Sequence, residues 1–262
     1  ILADAKESIK DLMNENIITV HTLDDQEEVA KQFQKYDFAA MPVVDNENRL
    51  VGIITVDDVM DILEEEATED IEMMAAITPT DQPYMKTSVF ETYRKRIPWL
   101  LLLMISASIT GKIIQGFEAA LSTCVILTAF IPMLMDTGGN CGSQASVSVI
   151  RALSLDEVEF KELPQIIWKE MQVSILVGAT LSLANFGKIL LIDRTSILVA
   201  FVVCMTLFVT VVVAKLVGCT LPILASKIGF DPAVMASPFI TTIVDALSLI
   251  VYFNVAGIFL GL

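Results

Sequence analysis

The sequence predicts an α-helical polytopic membrane protein with five transmembrane helices, preceded by a small α/β module. Apolar residues make up 54% of its 262 residues, and the mean hydropathy of +0.66 is too high for an ordinary soluble domain. The net charge of -15 is nevertheless too acidic for a chain lying wholly in lipid. Residues 1–96 contain 9 Lys and Arg against 22 Asp and Glu, a net charge of -13, whereas residues 97–262 contain 8 against 10, a net charge of -2. An acidic polar region therefore precedes an apolar one.

The apolar region contains five stretches of the length that a helical span needs, about 20 residues. We predict spans at approximately 97–116, 120–150, 164–192, 196–226 and 233–261. Lys and Arg are more frequent in the connections on the N-terminal side of the membrane, which the positive-inside rule makes cytoplasmic. Five crossings of the cell membrane then place the C-terminus outside.

The polar region reads as mixed α/β. Residues 22–38 begin with the helix start signal Thr-Leu-Asp-Asp and continue with apolar residues at helical spacing. Two strand-like runs, 40–44 and 50–55, are joined by the turn-forming residues 45–48, and a further helix begins near Asp57. The acidic charge of this module repels phosphates, which excludes nucleic acid as a partner.

The segment MPVVDNENRLVGIITVDDVMDIL within this module resembles a CBS domain, over roughly residues 10–66. CBS domains pair in tandem, and we expect one complete second copy here, with the tail of a first copy in the opening residues of a fragment. In nucleotide-binding members, the positions matching Thr55 and Asp57 contact ribose and phosphate, which leaves ATP as a possible regulator. The alternative is that both residues only cap the following helix.

Nine acidic residues and no basic ones lie between Asp57 and Glu72. On a helix with about 100° per residue, five of them share one face, namely Asp58, Asp61, Glu65, Glu69 and Glu72. Carboxylates at this spacing repel each other. The face is either a solvated surface or a regulatory site for Mg2+ or Ca2+ shared with an acidic partner. We divide the chain into the α/β module at 1–66, an acidic linker helix with a basic juxtamembrane segment at 67–96, and a membrane domain at 97–262.

Two carboxylates, Asp136 and Asp245, lie inside apolar stretches, where a charge needs a partner or a water-filled cavity. Polar residues at steps of three or four predict a stripe on the helix of Asp245 that lines an aqueous path; they are Ser237, Thr241, Ser248 and Tyr252. The alternative is that hydrogen bonds between helices stabilise Asp245, with Thr and Ser side chains as the donors.

The segment PMLMDTGGNCGSQAS, residues 132–146, combines three glycines with polar side chains. Glycines weaken a helix, and carbonyl groups released from helical hydrogen bonds could bind a cation. Asn140 and Gln144 extend the polar surface. Close helix packing through Gly138 and Gly142 is the alternative, and both could hold together.

Together with YRKRIPWLLLL and DPAVMASPFITTIVDALSLIVYF, these segments resemble the MgtE family of magnesium channels or transporters, over nearly the whole chain. The resemblance implies a homodimer in the lipid bilayer with its pore on the two-fold axis, and no enzymatic activity. It also implies a plug helix at about residues 64–77 that cytosolic Mg2+ holds closed. The implied metal-binding set is Asp245 with the carbonyls of Gly138 and Thr241, and Asp231 near the cytoplasmic mouth, to which we add Asp136 and Asn140.

Two other functions fit parts of the pattern. A CBS-regulated transporter of Co2+, Mn2+ or Ca2+ would use the same acidic residues. An intramembrane aspartyl protease is a remote alternative, because Asp136-Thr137-Gly138 has the letters of the soluble aspartic protease motif and Asp245 could complete a dyad. The sequence contains no P-loop pattern, so we expect ions to move down their electrochemical gradient.

Overall fold

The computed structural model describes residues 8, 10, 13, 16–80 and 82–261. The chain folds as two compact units, Ile1–Glu69 and Asp70–Leu262. The expected tail of a first CBS copy falls in the first ten residues, which lie outside the described part of the chain except for residues 8 and 10.

The first unit contains a three-stranded sheet and helices. Its elements in chain order are β1 (Val20–His21), α1 (Gln26–Tyr36), β2 (Ala40–Val44), β3 (Leu50–Thr55) and the start of α2 (Val56–Met74). The central strand β2 runs parallel to β1 and antiparallel to β3. Asp25 caps α1 by accepting a hydrogen bond from the backbone N–H of Glu27. The predicted order of helix, two strands and helix is confirmed.

One apolar core joins these elements. Val20 of β1, Phe33 of α1, Met41 of β2 and Val59 of α2 are buried together. Ile54 of β3 packs against this cluster, so each of the five elements contributes at least one side chain to the core.

The second unit is built from helices, most of them long. In chain order they are α3 (Val89–Gly116), α4 (Glu118–Thr123), α5 (Ile131–Ser154), α6 (Leu163–Lys188), α7 (Ile197–Lys227) and α8 (Ser237–Leu260). Short 3-10 segments at Val125–Phe130, Phe160–Glu162 and Pro232–Met235 and a π-helical turn at Ile189–Asp193 lie between them.

Four helical segments among the described residues are long and apolar enough to cross a membrane. They are Val89–Gly116, Phe160–Asp193, Ile197–Lys227 and Pro232–Leu260. The helix α5 is 24 residues long, but its polar side chains make it less apolar than these four. A fifth crossing by α5 therefore stays a prediction.

The stretch 120–150, which we expected to be one span, is not one helix. The helix α4 ends at Thr123, a 3-10 segment follows, and α5 begins at Ile131. Pro132 explains the new start, because proline lacks a backbone N–H and favours the first turn of a helix, where that group has no partner.

The glycines of α5 do not loosen the helix, contrary to one of the two expectations. The helix is continuous from Ile131 to Ser154. A Cβ atom on Gly218 of α7 would collide with the carbonyl oxygen of Gly142, and one on Gly138 would lie 2.7 Å from Cγ2 of Thr210. These glycines therefore let α5 approach its neighbours closely, which is the packing alternative.

We call the second unit, Asp70–Leu262, the membrane unit. We predict that Gly218→Ala destabilises it by roughly 1–3 kcal/mol, because the obstructing carbonyl oxygen of Gly142 is a backbone atom and cannot rotate away. The measurement is thermal unfolding of purified protein in detergent. Gly187→Ala on α6 is the matched control, since a Cβ atom there meets nothing within 4 Å. An unchanged midpoint in Gly218→Ala would contradict the proposed contact.

Candidate functional site

A row of polar side chains lies along one exposed edge of α5. We call Asp136, Asn140, Gln144 and Ser148 the α5 polar edge; they recur every four residues and all are exposed. Asn140 donates a hydrogen bond from Nδ2 to Oδ2 of Asp136 at 3.2 Å, and Ser148 donates to the carbonyl of Gln144 at 2.7 Å. Exposed polar side chains in an apolar helical bundle require contact with water or with another protein surface.

Asp245 lies beside this edge on α8. Its carboxylate is half-buried and within electrostatic range of Asp136. The helices α5 and α8 meet closely here, since a Cβ atom on Gly139 would lie 2.9 Å from Cγ2 of Thr241. The structure therefore brings together the two carboxylates that the sequence singles out within apolar stretches.

Two residues of the predicted polar stripe on α8 do not line a path. Ser248 and Tyr252 are buried, with Ser248 donating to the carbonyl of Val244 at 2.6 Å and Tyr252 donating to the carbonyl of Leu127 at 3.0 Å. The bond of Tyr252 joins α8 to the 3-10 segment before α5, whereas that of Ser248 stays within α8, so neither side chain lines a path. Thr241 is half-buried and donates to the carbonyl of Pro238 at 3.0 Å. The side chain of Ser237 lies outside the described part.

Gly138 is buried within continuous helix at the contact of α5 with α7 and α8. Its carbonyl is therefore not released from the helix by the glycine-rich sequence. The roles of Gly138 and Thr241 as carbonyl ligands stay predictions that come from the family resemblance.

Asp231 lies in the connection between α7 and α8, before a turn that contacts the C-terminal part of α5. Its exposed carboxylate caps the 3-10 turn Pro232–Met235 by accepting from the N–H of Ala233 at 2.7 Å. Ser146 of α5 donates to the carbonyl of Met235 at 3.2 Å, which ties this turn to α5. The carboxylate thus stands at one end of the bundle, on a turn held by the helix that carries the α5 polar edge.

The last residues of α2 dock at the same end of the bundle. Met73 and Met74 pack against Ile150, Ala233 and Ala236. Ser154 donates a hydrogen bond to Oδ2 of Asp70 at 3.4 Å. The helix stops at Met74 rather than near Ile77, because Ala76 adopts the left-handed conformation and the Ile77 N–H returns to the Glu72 carbonyl.

Across residues 16–80 and 82–261, no three His, Cys, Asp or Glu side chains lie close enough together to hold a metal ion. The membrane unit offers instead a pair of carboxylates with a neighbouring amide. Mg2+ keeps several of its waters and usually binds through one or two carboxylates. The arrangement suits a hydrated divalent cation.

Comparison with known proteins agrees with this chemistry. Residues 131–255 match the MgtE domain model, described as a divalent cation transporter, and residues 9–65 match the CBS domain model. Proteins named Magnesium transporter MgtE from Thermus thermophilus and Bacillus subtilis are each 40% identical over 260 residues. The chain belongs to the MgtE family.

The matches to these MgtE proteins cover 99% of this chain but only 57% of theirs. The predicted CBS domain and MgtE resemblance are confirmed. The relatives are named as transporters rather than enzymes, in agreement with the expected absence of enzymatic activity in the family. The protease alternative is further opposed by the structure, because Asp136-Thr137-Gly138 lies inside α5 and not in a strand and loop.

The acidic face of α2 in this MgtE chain is extended rather than clustered. Asp58, Asp61 and Glu65 are exposed, while Glu69 and Glu72 are half-buried. Asp58 and Glu69 are separated by roughly 16 Å along the helix at 1.5 Å per residue, too far to share one ion. The predicted regulatory site would therefore need several ions or acidic groups from a partner.

The residues predicted to bind a nucleotide are partly committed to the helix start. Thr55 donates to Oδ2 of Asp58 from its backbone N–H at 3.1 Å and from its hydroxyl at 2.5 Å. These bonds, the hydroxyl first, hold the pKa of Asp58 below its usual value. Asp58 thus accepts both hydrogen bonds at the helix start, while helix capping and nucleotide binding by Thr55 and Asp57 both stay predictions.

An ion pair between Glu170 of α6 and Lys215 of α7 was not predicted. The ammonium group of Lys215 lies 3.4 Å from Oε2 of Glu170. Lys215 is an isolated charge within an apolar stretch, and that isolation is the signal that it needs an acidic partner.

Proposed function

We propose that the chain moves Mg2+ across the cell membrane, down its electrochemical gradient, along a path bordered by the α5 polar edge and Asp245. The exposure of this polar edge in an otherwise apolar bundle is the observation that carries the proposal. Lipid cannot satisfy these groups, whereas a hydrated cation and its water can. The printed names of the relatives agree with Mg2+ as the transported ion.

A homodimer would complete the path. One copy leaves the α5 polar edge open on one side, and a second copy related by a two-fold axis would place an identical edge opposite it. Four carboxylates, Asp136 and Asp245 from each copy, would then surround the ion and repel anions.

Five crossings by each copy, with α5 as the additional span, would leave the α/β module cytoplasmic and the C-terminus outside.

Water-mediated binding would allow both capture and release. Mg2+ dehydrates reluctantly, so carboxylates that contact its water shell hold it less tightly than a cage of direct ligands. Conduction requires binding that is favourable at entry and weak enough for exit. Asp231, at the end where α2 docks, would attract cations to the mouth.

Gating would act through α2. Its last turn contacts the bundle beside Asp231 through Met73, Met74 and Asp70. Cytosolic Mg2+ between the acidic face of α2 and partner acids would remove their mutual repulsion and hold this contact closed. ATP at the CBS domain is a further candidate regulator.

Transport of another divalent cation, such as Co2+, Mn2+ or Ca2+, is the second candidate. The matching family model is described only as a divalent cation transporter, and carboxylate, amide and water ligands suit several of these ions. Competition between Mg2+ and each ion for flux would separate the two functions.

We predict that Asp245→Ala and Asp245→Asn reduce Mg2+ flux in reconstituted vesicles at least about tenfold, because each removes the charge beside Asp136. Asp156→Asn is the matched control, since it neutralises an exposed acid in the connection after α5. Normal flux through both Asp245 variants would rule out the proposed path.

We also predict that millimolar Mg2+ slows tryptic cleavage after Lys86, an exposed residue in the connection between α2 and α3. Closure of the α2 contact should restrain this connection, which Lys95 ties down by donating to the carbonyl of Pro79 at 2.7 Å. Full-length protein should be compared with Asp61→Asn/Glu65→Gln at matched ionic strength. Equal cleavage with and without Mg2+ in the unaltered protein would count against sensing.

A further inference from the structure

The ion pair between Lys215 and Glu170 lies inside the helical bundle. The ammonium nitrogen and the carboxylate oxygen are 3.4 Å apart, and the two side chains are only 6% and 14% exposed. Among the ion pairs of the described residues, it alone has both partners so deeply buried. A buried charge at membrane depth is expensive, so the role of this pair needs an explanation.

Stability alone does not explain the pair. Removing two charges from water costs about as much as their attraction returns, and well-packed apolar side chains of similar volume often stabilise a protein equally well. An ion pair differs from an apolar contact because it requires one particular ammonium group to stay beside one particular carboxylate. It therefore fixes the register of two helices more strictly than apolar side chains do.

The register of α7 affects the position of α5, because α5 packs directly against α7. Ala214 and Gly218, on either side of Lys215, form the surface that Gly142 of α5 contacts; the carbonyl oxygen of Ala214 would lie 3.2 Å from a Cβ atom on Gly142. The thiol of Cys141 on α5 is also within electrostatic range of Lys215. The ion pair thus joins α6 to the part of α7 that supports α5.

We propose that Lys215 and Glu170 are positioning residues. Their ion pair fixes α7 against α6 and thereby sets where α5 holds Asp136 and Asn140 relative to Asp245. The functional part of this inference rests on the proposed cation path, whereas the structural part, the position of α5 relative to α6, does not.

The experiment compares four variants: Glu170→Gln, Lys215→Met, the apolar double Glu170→Leu/Lys215→Met, and the exchange Glu170→Lys/Lys215→Glu. Lys169→Met is the control, since it removes an exposed charge next to Glu170. The measurements are thermal unfolding, Mg2+ flux per folded protein as a function of Mg2+ concentration, and a spin-label distance between Val147 on α5 and Leu176 on α6. Both labelled positions are exposed, and the labels are placed on a cysteine-free background.

Each single variant should unfold at a lower temperature, because it leaves one buried charge without its partner. The apolar double should regain thermal stability but keep a shifted or broadened α5–α6 distance and a half-saturating Mg2+ concentration several-fold above that of the unaltered protein. The exchange should restore all three measurements. Lys169→Met should change none of them.

An apolar double with normal stability, normal label distance and normal half-saturation would overturn the proposal, since the pair would then only stabilise the bundle. Unchanged unfolding temperatures in both single variants would overturn it as well. Failure of the unaltered protein to move Mg2+ would instead refute the proposed function, while the unfolding and label-distance measurements would still test the positioning role.

Discussion

The contact between α5 and α7 at Gly142 and Gly218 is the constraint on which the membrane unit depends. Two helices in lipid gain nothing from excluding water, so their association depends on close packing of backbone and small side chains. The backbone of α5 at Gly142 occupies the space that a side chain on Gly218 of α7 would need. Since Gly138 and Gly139 allow a similar approach to α7 and α8, α5 is held on the face that carries its glycines.

The position of α5 determines where its polar side chains lie. With the glycine face buried, the α5 polar edge remains on the outside, and Asp245 of α8 comes within electrostatic range of Asp136. The same contact thus packs the bundle and exposes the groups that a cation path requires. Small residues and polar residues alternate in this segment because they serve opposite faces of one helix.

Patterns of neighbouring residues in the sequence were enough to predict the α/β module and to single out Asp245 as a candidate site residue. Strands β2 and β3 are specified by β-branched residues around a turn-forming segment, and an acid in an apolar span stands out by its cost. The continuity of α5 could not be predicted in this way, because glycine favours both a weakened helix and a close contact, and only neighbouring helices decide between them. Glu170 and Lys215 are 45 residues apart, so their pairing depends on the packing of α6 against α7.

The acidic residues of the chain fall into two arrangements with different consequences for a cation. The face of α2 carries many carboxylates along an extended surface, where repulsion between neighbours is relieved whenever a divalent ion binds. Among the described residues, the α5–α8 contact has only Asp136 and Asp245, so an ion on the proposed path would keep most of its water. A dense acidic face favours occupancy and a sparse pair favours passage, because tight capture would stop the exit of the ion. The uneven distribution of charge between the two regions therefore matches the different affinities that sensing and transport require in the proposed function.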